Sequence, residues 1–345
     1  MASLSGDWRQ PYKQEVDMRS SMRWVYGIFL LPSLFGFSSI QNQEEFSAEA
    51  IAEGEFSQAE CEAKIGTMFW MQSACRSLPV AQYAPLVYLD KSEQFTPSSV
   101  DFFLPYMRAE GDFLVTRDQL KCPTCKNLPF LFGQMGGNKP AAPVYAIVTQ
   151  KTEDIVDLTY WFFYPYNLGK KVCLGVSAGG RCVGCKKEFG DHVGDWEHIT
   201  VRTVNLQPTQ VYLSWHSEGN TFTYGDTKAI DYVNGTHPVV YSANGSHGVY
   251  PKPGKYQYRK LPNGDELADY TSKGHAWRSW KNLEVILFKP NKVYTGKEAW
   301  MNFKGHWGNS KQGCGIYERI SGECQLNGGP NGPVTKGSMT SLDLQ

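Results

Sequence analysis

Past Pro79 the composition turns to alternating aromatic and β-branched residues, and candidate strands fall at Val144 to Thr149, Ile155 to Tyr164, Glu197 to Val204, Val211 to His216, Val239 to Tyr241 and Glu284 to Phe288. A period of two is what a pleated strand imposes on its buried face. Clusters of Gly, Pro and Asn separate the runs, and the regular amphipathic helices of a βαβ chain are missing between them. The pattern therefore predicts a mostly β fold, packed as an antiparallel β-sandwich. Upstream the spacing is helical: Ile51, Phe56, Met68, Met71 and Cys75 recur in a Pro-free stretch from Glu44 to Leu78, which Pro79 is expected to end. Further upstream still, Trp24 to Phe37 is an uncharged apolar run that follows Arg19 and Arg23 and is shorter than the roughly 20 residues a spanning helix needs. It reads as the core of a signal peptide, with cleavage after Ser38 and Met22 as an alternative start.

The expected organisation is a signal peptide with its leader at 1–38, a helical N-terminal segment at 39–79, a β-sandwich domain at 80–324 and a disordered tail at 325–345. Two stretches within the domain, Lys121 to Pro143 and Gly169 to Phe189, read as long Cys- and Gly-rich loops.

Charge narrows the range of partners. The 34 Lys and Arg balance the 34 Asp and Glu, so no global field exists to gather nucleic acid or an anionic membrane, and a charged partner must meet a local patch. Nine cysteines in an exported chain imply disulfides, with Cys314 and Cys324 as a local bridge and an odd thiol left over. The two Cys-x-x-Cys pairs, Cys122/Cys125 and Cys182/Cys185, lie too far apart for a zinc ribbon. Sequons at Asn234 and Asn244 suit a glycoprotein.

The chemistry concentrates in Asp191-His192-Val193-Gly194-Asp195-Trp196-Glu197-His198. On a strand starting at Asp195, the Asp195 and Glu197 carboxylates share a face with Ile199 and Val201, while Trp196, His198, Thr200 and Arg202 take the other. Two adjacent carboxylates on an apolar face need a cation or a paired base. Gly194 lets the chain fold back and aim His192 at the same point. The resulting N and O ligand set suits Ca, Mg, Mn or Zn. The competing reading turns Asp195 and Glu197 outward to pair with Arg202, Lys186 or Lys187. His198 reads as structural, while His247 and His275 could approach from loops.

Several of these segments resemble the Vps62 (vacuolar protein sorting-associated protein 62) family in order: Tyr83 to Leu89 with Glu93 and Pro97 to Val100, Gly190 to His198, Tyr241 to Gly248, Gly274 to Trp277, and Gly305 to Asn309. A more distant likeness joins Tyr160 to Pro165, His192-x-x-Asp195-Trp196-Glu197 and Ser246-His247-Gly248 to the necrosis-inducing NLP cytolysins. That likeness implies a β-sandwich in which His192, Asp195 and Glu197 hold a divalent cation that serves recognition of sphingolipid sugar headgroups. Asn167 falls near the position of the NLP family's upstream Asp ligand, so that ligand would be neutral here or replaced by Asp191.

Three functions follow as expectations. The first is a secreted (alternatively vacuole-lumenal) binding protein or cytolysin, whose cation engages a glycan or glycolipid headgroup at a membrane surface while exposed aromatics near Trp277 and Trp307 touch the sugar rings. The second is a metal-dependent hydrolase with Glu197, His247 or His275 as general base. The third is a vacuolar sorting factor in which the motifs only stabilise the sandwich. No nucleic-acid partner is indicated.

Overall fold

The computed structural model describes residues 78–345, apart from 137–138, 180, 316–317, 320–321 and 345. The expected signal peptide, and the expected helical segment up to residue 77, lie outside the described residues. The described chain opens with the short helix α1 (Leu78–Gln82), which contains Pro79 in its first turn. Pro79 lies in a described helical turn, and whether it ends the expected upstream segment falls outside the described residues.

Strand β1 (Leu86–Leu89) follows, then helix α2 (Val100–Phe103), capped by the Ser99 hydroxyl, which accepts from Phe102 N at 3.1 Å. Two small hairpins come next, β2 (Met107–Glu110) with β3 (Phe113–Thr116), and β4 (Met135–Gly136) with β5 (Lys139–Pro140). The long strands are β6 (Val144–Gln150), β7 (Ile155–Asn167), β8 (Lys170–Ala178), β9 (Arg181–Phe189), β10 (His192–Val204) and β11 (Gln207–Trp215). After them come β12 (Glu218–Thr223), β13 (Asp231–Val233), β14 (His237–Ser242), β15 (Val249–Tyr250), β16 (Gly254–Lys260), β17 (Glu266–Thr271), β18 (Ala276–Arg278) and β19 (Leu283–Leu287).

Six strands form one sheet in the order β12-β11-β10-β7-β6-β19, and a second sheet runs β13-β14-β1-β18 with β15 on β14. Val87, Val240 and Trp277 of the second sheet share a core with Ala146, Phe162 and Ile199 of the first, so the two sheets pack as a sandwich. Two pairings, β1 with β14 and β19 with β6, are parallel within this otherwise antiparallel scheme. The outer face of the six-stranded sheet is also covered: Trp161, Phe163 and Trp196 pack with Phe103, Trp300 and Trp307. Burial on both faces explains why β7 is apolar or aromatic at nearly every position.

Two expectations are corrected. The supposed loop Gly169 to Phe189 is a regular hairpin, paired from Lys170↔Phe189 to Ala178↔Arg181. Its Gly175 stands opposite Gly184, where an added Cβ would fall 2.0 Å from the Val183 carbonyl, and the Cys173–Cys182 disulfide ties residues that are not ladder partners. The glycines reflect this close backbone approach and the cysteines the bridge, rather than an absence of structure.

The supposed disordered tail also packs. Leu326 and Met339 are buried, Lys336 Nζ donates to the Trp196 carbonyl at 2.6 Å, and Lys151 Nζ donates to the Ser338 carbonyl at 2.6 Å. Disulfides also join Cys122 to Cys125 and Cys314 to Cys324, the latter as expected, while Cys185 is a free, exposed thiol.

Candidate functional site

The site grows from the β7–β10 pair. Its ladder runs Val193↔Tyr166 and Asp195↔Tyr164, passing over Gly194 and Pro165. Gly194 has φ +69°, and a Cβ there would lie 1.9 Å from the Trp307 carbonyl oxygen, so only glycine fits. Beyond this irregularity the faces shift phase, and Val193 packs in the same cluster as Trp196. Asp195 and Glu197 turn toward the sandwich interior and are 5% and 4% exposed. The reading that pairs them outward with Arg202 fails, since Arg202 Nε donates to Asp157 at 2.7 Å.

Asp195 Oδ2 lies 2.9 Å from His247 Nδ1, and Glu93 Oε2 lies 3.6 Å from His247 Nε2. The imidazole is fully buried and stacked on the Tyr164 ring at 3.7 Å. Burial pushes its pKa down, but Glu93 and Asp195 overcome this and raise it to about 9. The same cation holds Glu93 and Asp195 below the usual carboxylate range despite their burial.

Glu197 is different. It accepts a short hydrogen bond from the Ser214 hydroxyl, and among the described residues no Lys, Arg or His forms an ion pair with it. Burial and the neighbouring Asp195 push its carboxyl up to about 7.

His192 lines a cleft of about 450 Å³ together with Asn167, Lys170, Trp215, His216 and Tyr258. Its Nδ1 lies 2.6 Å from the Gly194 carbonyl, which fixes the proton there and leaves Nε2 with a lone pair. Burial keeps the ring neutral, with Asp195 opposing that effect. Asn167, the ladder partner of His192, donates from Nδ2 to the Gly190 carbonyl at 2.9 Å.

Asp191 does not join this group. It is fully buried, accepting from Tyr166 Oη and Gly169 N at 2.6 Å each and pairing with Lys126 at 3.0 Å. With its oxygens committed there, it is removed from the expected ligand set. Among the described residues, the three His, Cys, Asp or Glu side chains with donor atoms all within 4.8 Å of one another are Cys314, Glu318 and Cys324. Their two sulfurs share a disulfide, so they form no metal site. Asp195 acts electrostatically on both His192 and Glu197, and the donor atoms of the three are not grouped within 4.8 Å of one another. As a donor set they suit a cation: a neutral imidazole with a free Nε2 and two inward carboxylates, one of them uncompensated.

Other expected site residues are placed elsewhere. His247 cannot act as a solvent-facing base, because it is sealed and engaged at both nitrogens. His275 is exposed and is not part of the cleft lining. Trp277 and Trp307, near which exposed aromatics were expected, are 3% and 1% exposed and belong to the two cores; the aromatics of the cleft are Phe189, Trp215 and Tyr258. His198 lies at 4.1 Å on the Trp161 ring, as a structural histidine would.

A second cluster escaped the sequence reading. Buried Asp269 accepts from Lys170 Nζ at 2.8 Å, His216 Nε2 at 2.9 Å, Tyr250 Oη at 2.8 Å and, through a shorter bond, the Ser246 hydroxyl. Burial raises its pKa, but His216 and Lys170 more than reverse that and hold it well below the usual range. His216 is raised in turn by Asp269, against the effect of burial. The pairing partners are up to 99 positions apart, Lys170 and Asp269 sitting on β8 and β17, so no local motif announced them.

The architecture is therefore a mixed-sheet sandwich with a buried acidic centre beside a polar cleft. The chain belongs to the family described as vacuolar protein sorting-associated protein 62 (Vps62), whose model matches residues 135–312, just over half of its length. Among curated relatives in Saccharomyces cerevisiae, it is 27% identical over 223 residues to the putative vacuolar protein sorting-associated protein TDA6, a match covering 58% of this chain. It is 26% identical over 225 residues, 59% of this chain, to vacuolar protein sorting-associated protein 62. The chain spans 45% of the length of each of these relatives.

Solved structures to which it is similar include NLPPya in complex with glucosamine, at 14% identity and a TM-score of 0.32, covering 67% of this chain and 82% of that one. Another is necrosis and ethylene inducing protein 2 from the causal agent of cocoa's Witches Broom disease, at 15% identity and a TM-score of 0.28, covering 50% and 67%. Superposition this loose transfers neither ligand nor residue role.

Proposed function

We propose that this Vps62-family chain is a divalent-cation-dependent binding protein for a glycan or glycolipid headgroup, acting outside the cell or in the vacuole lumen. The observation that carries the reading is the Glu197 carboxylate, buried beside Asp195 with no ion-pair partner among the described residues. Leaving such a charge unpaired costs several kcal/mol, and a cation removes the cost. His192, Asp195 and Glu197 would hold the ion, with Asn167 beside them as a neutral oxygen donor. The ion supplies Lewis acidity and open positions for ligand hydroxyls. The chain supplies the cleft, where Trp215 and Tyr258 offer ring faces and Asn167, Ser246 and Asn327 offer hydrogen bonds. The three disulfides among the described residues suit an oxidising compartment.

The test is glycan-array and glycolipid binding by the full chain with Ca, Mn, Mg or Zn and then with excess EDTA. The reading expects binding that EDTA and His192→Ala both abolish. Binding that persists in EDTA contradicts it.

A second reading, a metal-dependent hydrolase, is favoured by His216, which lines the cleft with its Nε2 held by Asp269 in the manner of an oriented acid–base group. It predicts metal-dependent cleavage of a glycosidic or ester substrate that is lost in His216→Gln while binding survives. Intact substrate under all four metals refutes it.

A further inference from the structure

We propose that the β8–β9 hairpin is a membrane contact that seats on an anionic lipid surface, independently of the cation site. Val176 and Val183 are ladder partners, and cross-strand partners share a face. They are 62% and 72% exposed, which places two apolar side chains side by side in solvent near the hairpin turn. Lys171, Arg181, Lys186 and Lys187 are all exposed on the same two strands. The hairpin's one acidic residue, Glu188, is taken up by Lys126. In a chain of zero net charge this is a concentrated local excess of positive charge.

The hairpin is also stiff. Besides its ladder it carries the Cys173–Cys182 bridge, and Cys173 N donates to Asp265 at 2.7 Å while Ser177 N donates to the Asn263 carbonyl at 2.9 Å. By the ladder, Arg181 and Lys187 share the face of the two valines while Lys171 and Lys186 take the other. Valines flanked by basic side chains match a lipid surface better than an acidic protein or nucleic acid, because they gain only where an apolar layer underlies the negative charge. Each basic residue near such a surface strengthens binding roughly fivefold. At its base the hairpin supplies Lys170, Val172 and Phe189 to the cleft lining, so a seated hairpin brings the cleft close to headgroups.

The experiment is co-sedimentation of the full chain with glycolipid-free phosphatidylcholine vesicles, with and without phosphatidylserine, all in EDTA. The expected result is binding only where phosphatidylserine is present, weakened by salt. Arg181→Gln with Lys187→Gln should weaken it on the order of twentyfold, and Val176→Ser with Val183→Ser should also weaken it, with melting curves unchanged. His192→Ala should bind these vesicles like wild type, which separates this contact from the cation site. The proposal is overturned by absence of binding to the anionic vesicles, by binding that either double variant leaves intact, or by equal affinity for polyglutamate or duplex DNA.

Discussion

Two buried carboxylate centres sit within the same sandwich and are solved in opposite ways. Around Asp269 the accounts of charge are matched: one carboxylate meets the Lys170 ammonium and the His216 imidazole, and its oxygens are filled by four donors. Around Asp195 they are not: Glu93 and Asp195 share the base His247, while Glu197 beside them has no ion-pair partner among the described residues. The first centre is complete as it folds. The second carries surplus negative charge that either a proton on Glu197 or an external cation must answer. On the proposed reading, the second centre is where a cation would be held.

The largest expected effect comes from removing the shared base. His247→Ala leaves Glu93 and Asp195 buried without a counter-charge, which should cost about 3–5 kcal/mol and lower the melting temperature by on the order of 10 °C. A loss under about 1 kcal/mol in urea unfolding would show that the two carboxylates are already compensated.

Next is a pH dependence with a definite sign. The Glu197 carboxyl titrates near 7 when folded and near 4.5 when unfolded, so the folded state holds the extra proton. Stability of metal-free protein is therefore greatest below about pH 4.5 as far as this group is concerned, and declines by about 3 kcal/mol as pH rises to 7. Urea unfolding in EDTA should show that decline in wild type and lose it in Glu197→Gln. A flat wild-type profile breaks the contrast between the centres.

Asp269→Asn should cost less, about 1–3 kcal/mol, because the Lys170 and His216 side chains are 20% and 33% exposed and can turn to water. Its pH dependence runs the other way: the lowered Asp269 pKa contributes stability above the ordinary carboxylate range that is lost as pH falls. Smallest of all is Arg108→Ala, which breaks an exposed pair with Glu110 and should change stability by no more than about 0.5 kcal/mol.

Only the Asp195 side of this contrast was legible along the chain, and the reasons are physical. Alternation around Asp195 gave the inward carboxylates correctly, since strand periodicity is a local property and Gly194 marked its own irregularity. The six expected strands are all present, each with its boundaries extended by a residue or more at one end or both, or shifted by one. The β8–β9 hairpin was hidden because glycine at a bend and cysteine in a bridge carry no two-residue pattern. The tail was hidden because its Gly, Pro and Ser composition outweighs the few anchors, Leu326 and Met339, that hold it down. Asp191 was misassigned because its neighbours Tyr166, Gly169 and Lys126 come from other parts of the fold. Sequence spacing shows which side chains can share a face, but not which partner reaches them first.

The most direct test of the unmatched centre is metal content and equilibrium cation binding of the purified full chain, compared with Glu197→Gln and Asp269→Asn. The account predicts one divalent ion per chain in wild type, loss of that ion in Glu197→Gln, and its retention in Asp269→Asn. A wild-type chain that binds no ion, or a Glu197→Gln chain that binds it as well as wild type, would contradict it.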